Sequence, residues 1–162
     1  MKIEILPSNR ATPLAILSVT GLDNRELNPA IEKQLALHNL KPADPQSALA
    51  DLLVLIGDRH HVQMQAWDMA VLPEGTVQVQ ALRNQPVTLL TEQQPRLAAG
   101  LDGKSSQVLV VIGDAQADEA TVHATGQELQ RKIKAFFGRQ ARLQFRTGST
   151  ETQDLNTTRS VS

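Results

Sequence analysis

At 162 residues, with 41% apolar residues and a net charge of −1, the chain has the make-up of one globular domain, outside the disordered range and far from the strongly basic balance of a dedicated polyanion binder. It has no cysteine, which removes disulfides, thiolate nucleophiles and Cys-based metal sites together and fits a reducing compartment. No apolar run reaches the roughly 18–20 residues that span a bilayer, and the opening MKIEILPSNR lacks a charged-then-apolar signal pattern, so no membrane association and a cytoplasmic location are expected.

In chain order, Lys2 to Leu6 alternates, with Ile3 and Ile5 on one side, and predicts a strand. Pro7 to Pro13 is turn-rich, and Leu14 to Val19 predicts a second strand closed by Gly21. Asn28-Pro29 is a helix start, because Asn caps and Pro is tolerated in the first turn, where its missing N–H costs nothing. That helix is expected to reach Leu40, with Ile31, Leu35 and His38 inward and Pro42 as its stop. Asp44-Pro45 repeats the signal before Ala48, Leu49, Leu52, Leu53 and Ile56, which recur at helical spacing, with Gly57 as the expected cap. The run Leu52–Ile56 also fits a buried strand; the flanking Asp-Pro and Gly favour helix.

Two alternating runs follow. Val62, Met64 and Ala66 share a face, with Gln63, Gln65 and Trp67 opposite; Val77, Val79 and Ala81 share another, opposite Gln78 and Gln80. With Pro73 and Gly75 between them they predict an antiparallel hairpin with one apolar and one amide-rich face. Pro86 breaks the pattern, Val87 to Leu90 predicts a further short strand, and the polar stretch from Thr91 to Ser106 offers one helical turn at Leu97 to Leu101. Val108 to Ile112 is a continuous apolar run and predicts a central strand. Asp114 or Asp118 then caps a long helix ending at Gly138, with Val122, Leu129, Ile133, Phe136 and Phe137 as its inner stripe. Acids at its start and bases at its end suit the helix dipole, and Gly126 in its middle costs about 1 kcal/mol relative to Ala. Ala141 to Arg146 predicts the last strand. Residues 147–162 are polar and are expected to form a flexible tail after a single domain of 1–146.

The chemical motifs are thin. Gly57-Asp58-Arg59-His60-His61 offers Asp and His as metal ligands, but the further Asp-x-His and Gly-Asn-His that metallophosphoesterases need are missing. Gly113-Asp114 stands at a strand-to-helix junction without the additional glycines of a nucleotide loop, and its carboxylate would repel phosphate. There is no Gly-x-Ser-x-Gly elbow. The sequence therefore nominates no catalytic residue, cofactor or metal, and the expectation is a non-enzyme.

One feature points outward. Residues 1–126 carry nine basic and fourteen acidic side chains, residues 127–146 carry six and one, and residues 147–162 carry one and two. The basic stretch holds Arg131, Lys132, Lys134, Arg139, Arg142 and Arg146, and also all three phenylalanines, so Trp67 is the only aromatic outside it. Such an asymmetry steers an acidic partner, or simply offsets the acidic body. Part of this stretch, Glu128-Leu129-Gln130-Arg131-Lys132-Ile133 with Phe137 and the strand Arg142–Arg146, resembles the helix-to-strand segment of the DNA-damage-inducible RecA-modulating family. The acidic helix that follows in that family has no counterpart here, and no function is carried over.

The fold expected is α+β: a mainly antiparallel sheet covered on one face by three helices. The function expected is a protein-interaction module, a small subunit or adaptor that works with a partner protein or as a homo-oligomer. It would dock through Arg131, Lys134, Arg139, Arg142 and Arg146, on one cationic wall, with Trp67 as an anchor on the amide face. The alternatives are a nucleic-acid accessory protein using the same cations, and an enzyme without a recognisable motif.

Overall fold

The computed structural model describes residues 2–5, 12–21, 29–37, 48–62, 64–69, 76–80, 88–90, 106–113, 118–148 and 153–156. Its elements are β1 (Lys2–Ile5), β2 (Thr12–Val19), α1 (Pro29–Leu37), α2 (Ala48–His60), β3 (Met64–Asp68), β4 (Thr76–Gln80), β5 (Thr88–Leu90), β6 (Val108–Ile112), α3 (Glu119–Phe137), β7 (Arg142–Gly148) and β8 (Gln153–Asn156). The class is α+β. The single sheet expected is replaced by two four-stranded sheets, ordered β3-β6-β2-β7 and β5-β4-β1-β8. The first is antiparallel throughout; the second contains one parallel pair, β1 with β4.

The β3-β6-β2-β7 sheet is the middle layer, and its period-2 alternation feeds two cores. Ala15, Leu17 and Val19 of β2, Val108, Val110 and Ile112 of β6 and Ala66 of β3 join Ile31, Leu49, Leu52, Ile56, Val122, Leu129 and Ile133 from the helices. Leu14, Ile16, Leu109, Val111 and Trp67 point the other way and meet Ile3, Ile5 and Val79 of the second sheet. Strands apolar on both faces read as continuous hydrophobic runs, which is why β2 and β6 do.

The structure corrects four expectations. The runs 62–66 and 76–82 do not form a hairpin: β3 pairs with β6, and β4 pairs with β1 and β5. Alternation specifies which side chains share a face but not which strand lies alongside. The glutamine face is consequently split, with Gln65 in one sheet and Gln78 in the other, where its amide donates to Glu4 Oε1 at 3.1 Å. Gly57 is not a helix cap either. The helix continues to His60, and His61 ends it in the left-handed region at φ 55°. Leu52–Ile56 is helical. The Asn28 and Asp44-Pro45 start signals, His38 and the turn at 97–101 lie outside the described residues. The last strand passes the expected boundary at residue 146 to Gly148, and Gln153–Asn156 form β8 against β1.

α3 is the helix whose ends the sequence marks most clearly. Asp118 caps it, its Oδ1 accepting from the Thr121 N–H at 2.7 Å. Gly138 closes it at φ 67°, where a side chain would be strained, and its N–H donates to the Lys134 carbonyl at 3.0 Å. Gly126 is buried against the middle sheet. A Cβ there would lie 3.2–3.3 Å from Leu143, Ala15 and Phe145, so the missing side chain sets how closely α3 approaches β2 and β7. Gly113 has a similar packing duty: at φ 149°, a Cβ would stand 2.8 Å from the Pro13 carbonyl. That close approach accounts for a glycine at position 113.

Two outcomes follow for stability. Gly126→Val overfills the helix–sheet seam and is expected to lower unfolding free energy by about 1–3 kcal/mol, measured by denaturant titration. The Asp118 carboxylate is held below its ordinary value by the hydrogen bond from Thr121. A depressed folded-state value means that the cap's stabilisation is complete above about pH 3.8, the ordinary value, and is lost as pH falls through the lower folded one. Asp118→Ala should therefore be less stable than the native chain at neutral pH, with the gap closing in strong acid.

Candidate docking surface at the cationic sheet edge

The basic stretch folds into the second half of α3, the connection at Gly138–Ala141 and β7. Helical spacing and the contacts together sort its cations by direction. His123, Gln130 and Lys134 lie at i, i+7 and i+11, along one flank. That flank faces β7: the His123 ring stacks on Phe145, centroids 3.8 Å apart, and Gln130 Nε2 donates to the Ala141 carbonyl at 2.9 Å. Lys134 is therefore on the β7 side, and it is exposed. Glu128, Lys132 and Phe136 lie on the opposite flank, where Glu128 reaches α2. Arg131 is between the two flanks, outermost and exposed.

On β7, Leu143 and Phe145 pack with the helix-side core, so Arg142, Gln144 and Arg146 take the other face of the strand. Arg142 is exposed. Arg146 is half-buried, its Nη1 donating to the Phe145 carbonyl at 2.8 Å and its Nη2 to Gln144 Oε1 at 3.3 Å. Arg139, exposed in the connection, packs its guanidinium on Gly21 just past the end of β2.

The single cationic wall expected from the sequence is thus not what forms. Lys132 turns to α2 and Arg131 turns outward. Arg142 and Arg146 stand on the face of β7 away from α3, Lys134 lies on the helix side next to the connection, and Arg139 reaches Gly21 beyond the end of β2. Among the described residues none of these four has a carboxylate within ion-pair distance. Trp67 is not part of the surface. It is 2% exposed, between the two sheets, because the face shared with Gln65 is an interlayer face and not a wet one.

A second constellation escaped the sequence reading. Glu128 on α3 is nine-tenths buried and lies 3.4 Å from Arg59 Nη1 and 3.5 Å from His60 Nε2, both in the last turn of α2. The residues are nearly seventy positions apart, so only the packing of α2 on α3 joins them. The one available signal was a lone acid, Glu128, inside a basic stretch. A groove of about 180 Å³ opens beside this cluster, lined by Gln34, Leu55, Asp58, Arg59, Lys132 and Phe136 among others. Its charges cancel, two acids against Arg59 and Lys132, so it selects for neither sign. Asp58 is exposed while His60 faces Glu128, so the Gly57–His61 motif divides its ligands. Among the described residues no group of three metal-ligating side chains converges, and no helix is long and apolar enough to cross a membrane.

No protein-family model matches this chain, and a search of curated proteins finds no relative. The likeness of the Glu128–Arg146 segment to the RecA-modulating family therefore remains local.

The Glu128 cluster makes a separable prediction. Arg59 keeps most of its side chain in water, so Arg59→Ala should cost only about 0–1 kcal/mol. Glu128→Ala removes a nine-tenths-buried side chain from the α2–α3 contact and is expected to cost about 1–3 kcal/mol in urea unfolding. Equal costs for the two substitutions would show that the carboxylate is not what joins α2 to α3.

Proposed function

We propose that this chain is a non-catalytic protein-interaction module, a small subunit or adaptor that docks an acidic partner along the β7 edge through Lys134, Arg139, Arg142 and Arg146. The observation that supports it is that these four cations, on β7 and on the helix end and connection that lead into it, have no neutralising carboxylate in reach among the described residues. Cations paired within the molecule would have little to offer a partner. Unpaired ones create a local positive field in a chain whose remainder is acidic, and such a field steers encounter and fixes orientation more than it supplies affinity.

The arrangement favours a polypeptide over a nucleic acid. A phosphate backbone lies on a cationic wall or in a groove, and single strands usually add exposed aromatic platforms. Here Lys134 is on the helix side of the edge while Arg142 and Arg146 are on the other face of the sheet, and Phe136 and Phe137 are half-buried.

Light scattering and fluorescence anisotropy at two salt concentrations test the reading, with poly-glutamate and a single-stranded oligonucleotide of equal charge as probes. The expected result is poly-glutamate binding that weakens with salt and is lost in the double variant Lys134→Glu, Arg142→Glu. Tighter binding of the oligonucleotide by the native chain would replace the proposal with nucleic-acid recognition.

A further inference from the structure

β7 is an edge strand. Among the described residues it pairs with β2 from Arg142 to Gly148 and with no strand on its other side. Every second residue of such a strand turns its N–H and C=O away from its one partner, and that row of groups is a template for another strand. The side chains that an added strand would meet are fixed by the register. Arg142, Gln144 and Arg146 stand on the face away from α3, while Leu143 and Phe145 stand under α3, half-buried with the helix-side core. Lys134, one turn past Gln130, and Arg139 both stand before the strand begins.

Charge decides between occupants. A second copy pairing β7 antiparallel to β7 about Gln144 would set Arg142 opposite Arg146 twice, and like charges directly opposite destabilise a strand pair. A segment with carboxylates at every second position reverses the sign at those same places. Apolar residues between the carboxylates would fall beside Leu143 and Phe145 and extend the helix-side core by one strand. Among the described residues the Arg146 guanidinium donates to the Phe145 carbonyl and to Gln144 Oε1, contacts that an arriving carboxylate can replace.

We infer that the β7 edge takes up an extended acidic segment of a partner protein as a fifth strand of the sheet, with its carboxylates meeting Arg142 and Arg146 and its apolar residues meeting Leu143 and Phe145. This inference rests on the docking reading above and adds the manner of recognition. Backbone hydrogen bonds supply the pairing, and the alternate cations select which strand is accepted.

The test uses the full chain and a capped alternating glutamate–valine heptapeptide. Peptide binding is followed by anisotropy, and hydrogen exchange is followed at the β7 amides. Three results are expected: slowed exchange at alternate β7 residues, about tenfold weaker binding to Arg142→Glu, and about tenfold weaker binding when one alternate set of peptide nitrogens is methylated but not the other. Arg142 is exposed, so the variant should fold, and the unchanged hydrogen exchange of β6 checks that it does. If both methylated peptides bind like the parent while Arg142→Glu still weakens them, strand addition is wrong and charge-guided docking survives. If the peptide does not bind at any salt concentration, or the chain instead self-associates through β7, both readings fail.

Discussion

Burial of the middle sheet on both faces is the constraint on which the rest of this structure depends. β2 and β6 contribute Ala15, Leu17, Val108, Val110 and Ile112 to the helix side and Leu14, Ile16, Leu109 and Val111 to the sheet side, each at 2% exposure or less. A one-residue slip in either strand would exchange the two sets and mismatch both cores at once, so the register is specified twice. With aromatics at only 2% of the chain, this double coverage is how a core of Leu, Val, Ile and Ala reaches sufficient burial. The arrangement also absorbs Trp67, whose bulk fills the interlayer space.

The same constraint positions the surface. α3 lies antiparallel to β7, with His123 over Phe145 near one end and Gln130 at Ala141 near the other. Gly126 sits between these contacts and lets the helix approach β2 and β7 closely. Because α3 is held there, Lys134 projects on the β7 side, and because the sheet's pleat is fixed by β2, Arg142 and Arg146 project on the other. The cations are thus distributed about an edge and not across a plane. Their directions follow from one helix–sheet seam and one strand register, with no need for contacts among the cations themselves.

Much of the local structure was legible because its signals are local. Gly138 and the stripe through Val122, Leu129 and Ile133 marked the course and end of α3 and left its start between Asp114 and Asp118, and Val108–Ile112 announced a central strand. The partnership of strands was not legible. Alternation in 62–66 and 76–82 is equally satisfied by a hairpin and by two strands in different layers, and no pattern in the sequence reveals that β4 lies parallel to β1. Trp67 was misassigned for the same reason: a face carrying Gln65 looks wet until a second sheet is placed over it. Glu128 was overlooked because its partners, Arg59 and His60, come from a helix far away in sequence. The basic residues were found by counting, but a count contains no directions, so one wall was expected where the fold makes an edge with two sides.

Two roles compete for such an edge, and their energetics differ. Charged residues beside an open strand discourage indiscriminate pairing, which natural sheets require of their edges. That protective role needs only repulsion between copies and places no demand on the intervening residues. Recognition demands more, since exposed ion pairs contribute only about 0.2–1 kcal/mol each and cannot hold a partner alone. The affinity must come from backbone pairing and from apolar contact beneath the charges. β7 supplies that second component in Leu143 and Phe145, which are only partly buried under α3 and continue the core to the rim of the sheet. A purely protective edge could be polar at those positions; here apolar side chains alternate with Arg142, Gln144 and Arg146. In the strand addition we propose, charge would disfavour cationic strands, and a strand of opposite charge would gain additional apolar burial.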